Sequence, residues 1–185
     1  IETMLVRENC LLPLMENRNK FDKLMIKVLF VCMGNICRSP AAEGIFKKLV
    51  DDAKLDNEIS IDSAGSIGYH TGELPDKRMR SHASARGYNL ESRARQFNPK
   101  NDFEEFDYII TMDNENYSDI KKLDIKKLYN DKILKMGDFI SDKNISEVPD
   151  PYYGGSEGFK YVINILESGS KNLLTKIKTD LERNT

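Results

Sequence analysis

Residues 26–46, IKVLFVCMGNICRSPAAEGIF, constrain this chain more than any other stretch. Ile26 to Val31 is an apolar, largely β-branched run broken only by Lys27. It is too short for a helix of its own and suits a strand buried on both faces, as in parallel sheets. The strand stops at Cys32. Met33 to Ser39 contain Gly34 and Asn35, the residue types most tolerant of tight or left-handed backbone. Ser39-Pro40 reads as a helix start, a capping hydroxyl followed by a proline that needs no N–H. Ala41, Ala42, Ile45, Phe46 and Leu49 continue at helical spacing, which predicts a helix over about 40–54.

Strand, loop and helix in that order make a concave loop whose N–H groups sit at the positive end of a helix, a cradle for a tetrahedral oxyanion. The loop lacks the Gly-Lys-Ser/Thr ending of nucleotide-binding loops. It has instead Cys32 at its first position, Arg38 at its seventh and then Ser39. A thiol inside such a ring of donors is expected to be acidified, from about 8.5 to roughly 3.5–7.5. Arg38 supplies a planar fork able to hold two oxygens of a phosphoryl group. Thiolate, oxyanion cradle and fixed cation together describe phosphoryl transfer through a cysteinyl-phosphate. Two other readings of Cys32 and Cys37 explain less. A metal site needs more ligands than one further cysteine and two histidines supply. Inert core thiols leave the neighbouring Gly34, Asn35 and Arg38 unexplained.

The block VLFVCMGNICRSPAAEG resembles the signature of the low-molecular-weight protein tyrosine phosphatases, and DPYYGG at 150–155 resembles a second block of that family. The similarity spans roughly residues 26–182. It implies that Cys32 is the nucleophile, Arg38 binds phosphate and Asp150 is general acid and then base, with no metal or cofactor. It also implies that Met33, Gly34, Asn35, Ile36, Cys37 and Ser39 form the cradle. Asp150 precedes Pro151, which stiffens the loop carrying it; a plain Asp-Pro turn is the competing reading. Tyr152 and Tyr153 sit where the family places aromatic residues, and Tyr69 is the facing wall for a substrate ring. Asn35 is expected to hold the loop in shape and Ser39 to donate to the thiolate. Glu43 resembles a residue that supports Asn35; a solvated helix charge is the alternative. The family further implies that oxidation pairs Cys32 with Cys37.

One departure stands out. Many relatives carry a histidine before Ala-Arg-Gln, where this chain has Ser92, which puts the hydrogen-bond network beneath the loop in question. His70 and His82 are expected at the surface or in loops, without a catalytic part. Three rival functions fit the residues less well. A thiol-linked arsenate reductase needs further downstream cysteines, and none follows Cys37. Protein-arginine phosphatases of the same family carry threonine where this chain has Ile36, and an apolar residue suits an aryl phosphate better. A silent phosphopeptide-binding module would lack the nucleophile or the acid.

The rest of the chain alternates. Ile59 and Ile61 mark a second strand ending near Gly65, and strand–helix–strand implies a parallel crossover. A helix is expected over 76–87, an irregular link around Ala94, Arg95 and Gln96, and a short helical turn from Pro99. A third strand is expected over 106–112, a helix from Asp113 to about 122, and a fourth strand over 132–139. The final segment, from Phe159 to Leu181, is amphipathic at helical spacing, with Gly169 as its weak point. The expectation is a three-layer α/β domain around a four-stranded parallel sheet, the Cys32 loop lying at the carboxyl ends of the strands. Residues 25–185 form that domain; residues 1–24 read as an extension, disordered or vector-derived. Net charge is −2 and no apolar run reaches the 18 residues of a membrane span, which excludes nucleic acid and membrane as expected partners. Three cysteines do not make a disulfide framework, so a reducing cytoplasm is expected. The expected partners are phosphotyrosine-containing proteins, with inorganic phosphate as product or inhibitor.

Overall fold

A computed structural model describes residues 25–183; the extension expected over 1–24 lies outside them. The sheet has four parallel strands in the order β2-β1-β3-β4, namely β1 (Ile26–Cys32), β2 (Ile59–Gly65), β3 (Tyr108–Thr111) and β4 (Ile133–Lys135). β1 lies inside the sheet, paired on both edges, which is why its sequence is apolar on both faces. Val28, Phe30 and Cys32 face one way, into a core shared with α1 (Arg38–Asp52), α2 (Lys77–Ser84) and α5 (Gly155–Arg183). Leu29 and Val31 face the other way, onto Phe97, Phe103 of α3 (Asp102–Glu105) and Ile120 of α4 (Asn114–Leu123). The period of two along one strand thus makes the three layers. Lys27, the one charge in the run, sits at the strand's solvent end and pairs with Glu105 at 3.0 Å.

Several boundaries differ from the sequence expectation. α1 begins at Arg38, and Ser39 does not cap it; its hydroxyl is turned to Cys32 instead. α2 starts after Asp76, whose carboxylate accepts from Arg78 N and Met79 N, and ends at Ser84. β3 is Tyr108–Thr111, shorter than 106–112, because Phe106 closes α3 and the Asp107 carboxylate caps Lys27 N. The fourth strand is three residues long, not eight. Met136–Phe139 forms a 3₁₀ turn, since the segment at Ser146 crosses so closely over Gly137 that a Cβ there would meet its carbonyl at 1.8 Å. Gly169 is no weak point: α5 runs through it unbroken. The Met136 sulfur packs where a side chain would stand, 2.6 Å from an ideal Cβ. His82 lies on α2 and stacks on Phe159, with ring centroids 5.7 Å apart. Among the described residues no helix is long and apolar enough to cross a membrane.

Candidate active site

The turn from β1 into α1 is held open by its carbonyls. Cys32 O accepts from Ser66 N at 2.8 Å, Met33 O from Ile67 N at 3.1 Å and Ile36 O from Asp76 N at 2.7 Å. With these oxygens pulled outward, the N–H groups of Met33 to Cys37 find no acceptor among the described residues and are left for an anion at the centre. Asn35 has φ 55°, the left-handed backbone that asparagine tolerates and most residues do not.

Beneath the loop runs a chain of side-chain hydrogen bonds. The Cys32 sulfur lies 3.0 Å from Ser39 Oγ. Asn35 Nδ2 donates to Ser39 Oγ and to Ser63 Oγ, each at 2.9 Å, while Asn35 Oδ1 accepts from Arg95 N. Since Asn35 already donates to Ser39 Oγ, the single serine proton is free to point at sulfur or, at a longer 3.3 Å, at Ala64 O. Ser63 Oγ in turn donates to Glu43 Oε2 at 2.5 Å, so Glu43 supports Asn35 through Ser63. Ser92 Oγ donates to the same oxygen at 2.8 Å. The network is therefore closed by serine at the position where the family resemblance led to an expected histidine. Burial pushes the Glu43 carboxyl above its ordinary value, outweighing the two serine donors that pull it down. Glu43 and Ser92 also line a cleft of about 450 Å³ behind the loop.

Arg38 is 4% exposed. Its Nη1 donates to Asp113 Oδ2 at 2.5 Å and to Val148 O at 3.1 Å, and its Nη2 to Asp150 Oδ2 at 3.2 Å. Burial opposes the guanidinium charge, but the Cys32 sulfur, Asp113 and Asp150 outweigh it, and the net shift is upward. Cys37 is pushed up to about 12, first by burial and then by Asp76 and Cys32, so it stays a neutral thiol at physiological pH. Asp150 Oδ1 accepts from Tyr152 N at 2.9 Å, a short turn that aims the carboxylate back at Arg38.

These groups open into a cavity of about 310 Å³ whose floor is Cys32, Met33, Gly34, Ile36, Cys37 and Arg38, with Asp150 at one side. Its mouth is Tyr69, Tyr152 and Tyr153, joined by Ile67 and His70. A scan against known families matches residues 27–183 to the low molecular weight phosphotyrosine protein phosphatases. The chain belongs to this family. A putative low-molecular-weight protein-tyrosine-phosphatase of Synechocystis is 48% identical over 156 residues, covering 84% of this chain and 99% of the relative. The human low molecular weight phosphotyrosine protein phosphatase is 42% identical over 136 residues, 73% of this chain and 85% of its own. Among solved structures, a protein tyrosine phosphatase from Entamoeba histolytica superposes with a TM-score of 0.80 at 46% identity, over 84% of this chain and 98% of that one.

The phosphatase fold brings every residue singled out in the sequence to this cavity or just beneath it. His70 lies in a turn, as expected, and also lines the cavity, held by Glu73 at 2.8 Å and edge-on to Tyr69. Asp138 and Asp142, the other carboxylates near the acid loop, are turned elsewhere, onto Lys135 N and Asn144 N. Sequence reasoning missed Asp113, Ser63, Ile67 and the backbone of Arg95. Asp113 had a signal, an acid at the carboxyl end of a parallel strand where such folds keep their sites. The others are visible only once β2 and the 94–97 link lie against the loop.

Proposed function

We propose that Cys32, Arg38 and Asp150 hydrolyse phosphotyrosine in proteins through a cysteinyl-phosphate. The observation that carries this is a single constellation: the Cys32 sulfur in a turn of unpaired N–H groups, with Arg38 bonded to both Asp113 and Asp150. The Cys32 thiolate attacks phosphorus in line. The S–P bond forms as the P–O(aryl) bond breaks, and the leaving oxygen takes a proton from Asp150. Arg38 and the loop N–H groups carry the charge on the equatorial oxygens. Water then attacks phosphorus and gives its proton to the Asp150 carboxylate, while the S–P bond breaks to return thiolate and release phosphate. An arriving phosphoryl dianion competes with Asp150 for Arg38.

An apolar and aromatic lining, Ile36 on the floor with Ile67, Tyr69 and Tyr152 at the mouth, supports an aryl ester as substrate. A Drosophila arginine phosphatase is also similar, at 31% identity and a TM-score of 0.77, but here Ile36 lines the floor of the cavity. We place the enzyme in the cytoplasm. We also propose redox control, with Cys32 and Cys37 pairing under peroxide and reopening with dithiol; both are free, buried thiols on the same turn. Residues 25–185 are proposed as the catalytic domain. The deciding experiment compares phosphotyrosine, phosphoserine and phosphoarginine peptides with chelator present. Phosphate release from phosphotyrosine alone is expected; preference for phosphoarginine overturns the assignment.

A further inference from the structure

The Asp150 loop is tied to the rest of the site before, at and after Asp150: Val148 O and the Asp150 carboxylate on Arg38, and then the carbonyl two residues later. Tyr152 O accepts from Arg78 Nη1 at 3.1 Å. The Arg78 guanidinium also lies 4.9 Å over the Tyr152 ring and 4.9 Å over the Phe159 ring, clamping both ends of the turn into α5. Its other nitrogens are held by Asp76, Nε to Oδ1 at 3.1 Å and Nη2 to Oδ2 at 2.9 Å. Asp76 is fixed in turn, as the N-cap of α2 and through its own N–H to Ile36 O of the phosphate loop at 2.7 Å. A continuous path therefore runs from Ile36 through Asp76 and Arg78 to Tyr152, whose N–H bonds the Asp150 carboxylate.

We propose that Arg78 is a positioning residue that sets the Asp150 carboxyl over the phosphate loop and so determines how well it reaches the leaving oxygen. The proposal rests on the reading of Asp150 as the proton donor. Arg78 does not line the floor of the cavity, so phosphate affinity does not depend on it. A planar fork is needed, because one group must satisfy a carboxylate, a carbonyl and two ring faces together; an ammonium carries the charge but not that geometry.

The test measures kcat/KM for a series of aryl phosphates from phenyl to p-nitrophenyl. Arg78→Met keeps an apolar stem against Phe159 while removing the fork. It is expected to slow phenyl phosphate by about tenfold to a hundredfold, the scale of an approximately 1 Å misplacement, and p-nitrophenyl phosphate much less. Arg78→Lys should recover part of the loss. Inhibition by inorganic phosphate should be unchanged, and Arg78→Met/Asp150→Asn should be no slower on phenyl phosphate than Asp150→Asn. Equal slowing of all esters by Arg78→Met, or full additivity with Asp150→Asn, overturns the proposal. If Asp150→Asn alone fails to discriminate between leaving groups, the identity of the acid is wrong, a failure read from a different variant.

Discussion

The floor and the mouth of this cavity are built on opposite principles. On and just beneath the floor, Cys32, Asn35, Arg38 and Ser39 are all under 5% exposed, and each of these side chains has a polar partner within the fold. At the mouth, Tyr69 is 83% and Tyr153 94% exposed, and no phenol hydroxyl of Tyr69, Tyr152 or Tyr153 bonds to another described residue. Charge stabilisation needs preorganised dipoles, and buried, doubly held groups cost no reorganisation during the reaction. A mouth that must meet many protein surfaces gains from side chains free to adjust. On the proposed reading, chemistry falls to the floor and choice of partner to the mouth.

The floor should break first and hardest. Cys32→Ser is expected to lower turnover by a factor approaching about 10⁶, the scale known for loss of a covalent nucleophile. It should still bind phosphate or vanadate, because the N–H groups and Arg38 remain. Arg38→Ala should lose both turnover and anion binding, and should melt earlier, since Asp113 is left without its cation. Anion titration by calorimetry separates the two variants; wild-type turnover in Cys32→Ser would remove the covalent mechanism altogether.

Asp150 sits between floor and mouth, with its side chain 44% exposed yet bonded to Arg38. Loss of a general acid typically costs about 10²–10⁴-fold. Asp150→Asn should therefore slow phosphotyrosine cleavage on that scale, and p-nitrophenyl phosphate less, because phenols like tyrosine have pKa values near 10 and need the proton. The basic limb of the pH–rate profile should flatten and a burst of phenol appear. If both substrates suffer equally and the basic limb persists, the acid lies elsewhere.

The same division explains what was legible in the sequence. Cys32, Arg38 and the glycine and asparagine between them lie within one turn, where local chemistry leaves few alternatives. The parallel sheet and its layers followed from an apolar strand that had to be covered on both faces; the strand order β2-β1-β3-β4 did not. What stayed hidden was non-local. Ser63 and Arg95 reach Asn35 from 28 and 60 residues away. The fourth strand stops at Lys135 although its sequence would continue, because the loop at Ser146 crosses over Gly137. The bond between Ser39 and the thiol was legible; that it would leave the start of α1 without a side-chain cap was not.

The mouth should give smaller effects. Tyr152→Ala and Tyr69→Ala are each expected to raise KM for phosphotyrosine peptides by about tenfold, an aromatic contact being worth roughly 0.5–1.5 kcal/mol beyond its buried area. Inhibition by inorganic phosphate should not move, and kcat should fall little. A fall in kcat as large as that of Asp150→Asn would erase the distinction between mouth and floor.

On activity, the smallest effect is expected at Glu43, which bonds Ser63 and Ser92 and does not line the cavity. Its folded-state affinity for a proton is raised, chiefly by burial, above an ordinary value of 4.5. The folded chain then binds more protons than the unfolded chain in the window just above that pH. By linkage, stability falls with rising pH wherever the native state holds the extra proton. Glu43's contribution is therefore full below about 4.5 and declines as pH rises through its folded-state value. Denaturant unfolding of wild type and Glu43→Gln from pH 4 upward should show the wild-type advantage shrinking as pH rises. Ser92→Ala removes one of two donors to Oε2 and should steepen that decline, since the charged form loses a bond worth about 1.5–3 kcal/mol. An advantage that grows with pH would mean that the serines outweigh burial. Glu43 would then belong with the preorganised charges of the floor, anchored as an anion through Ser63 to Asn35.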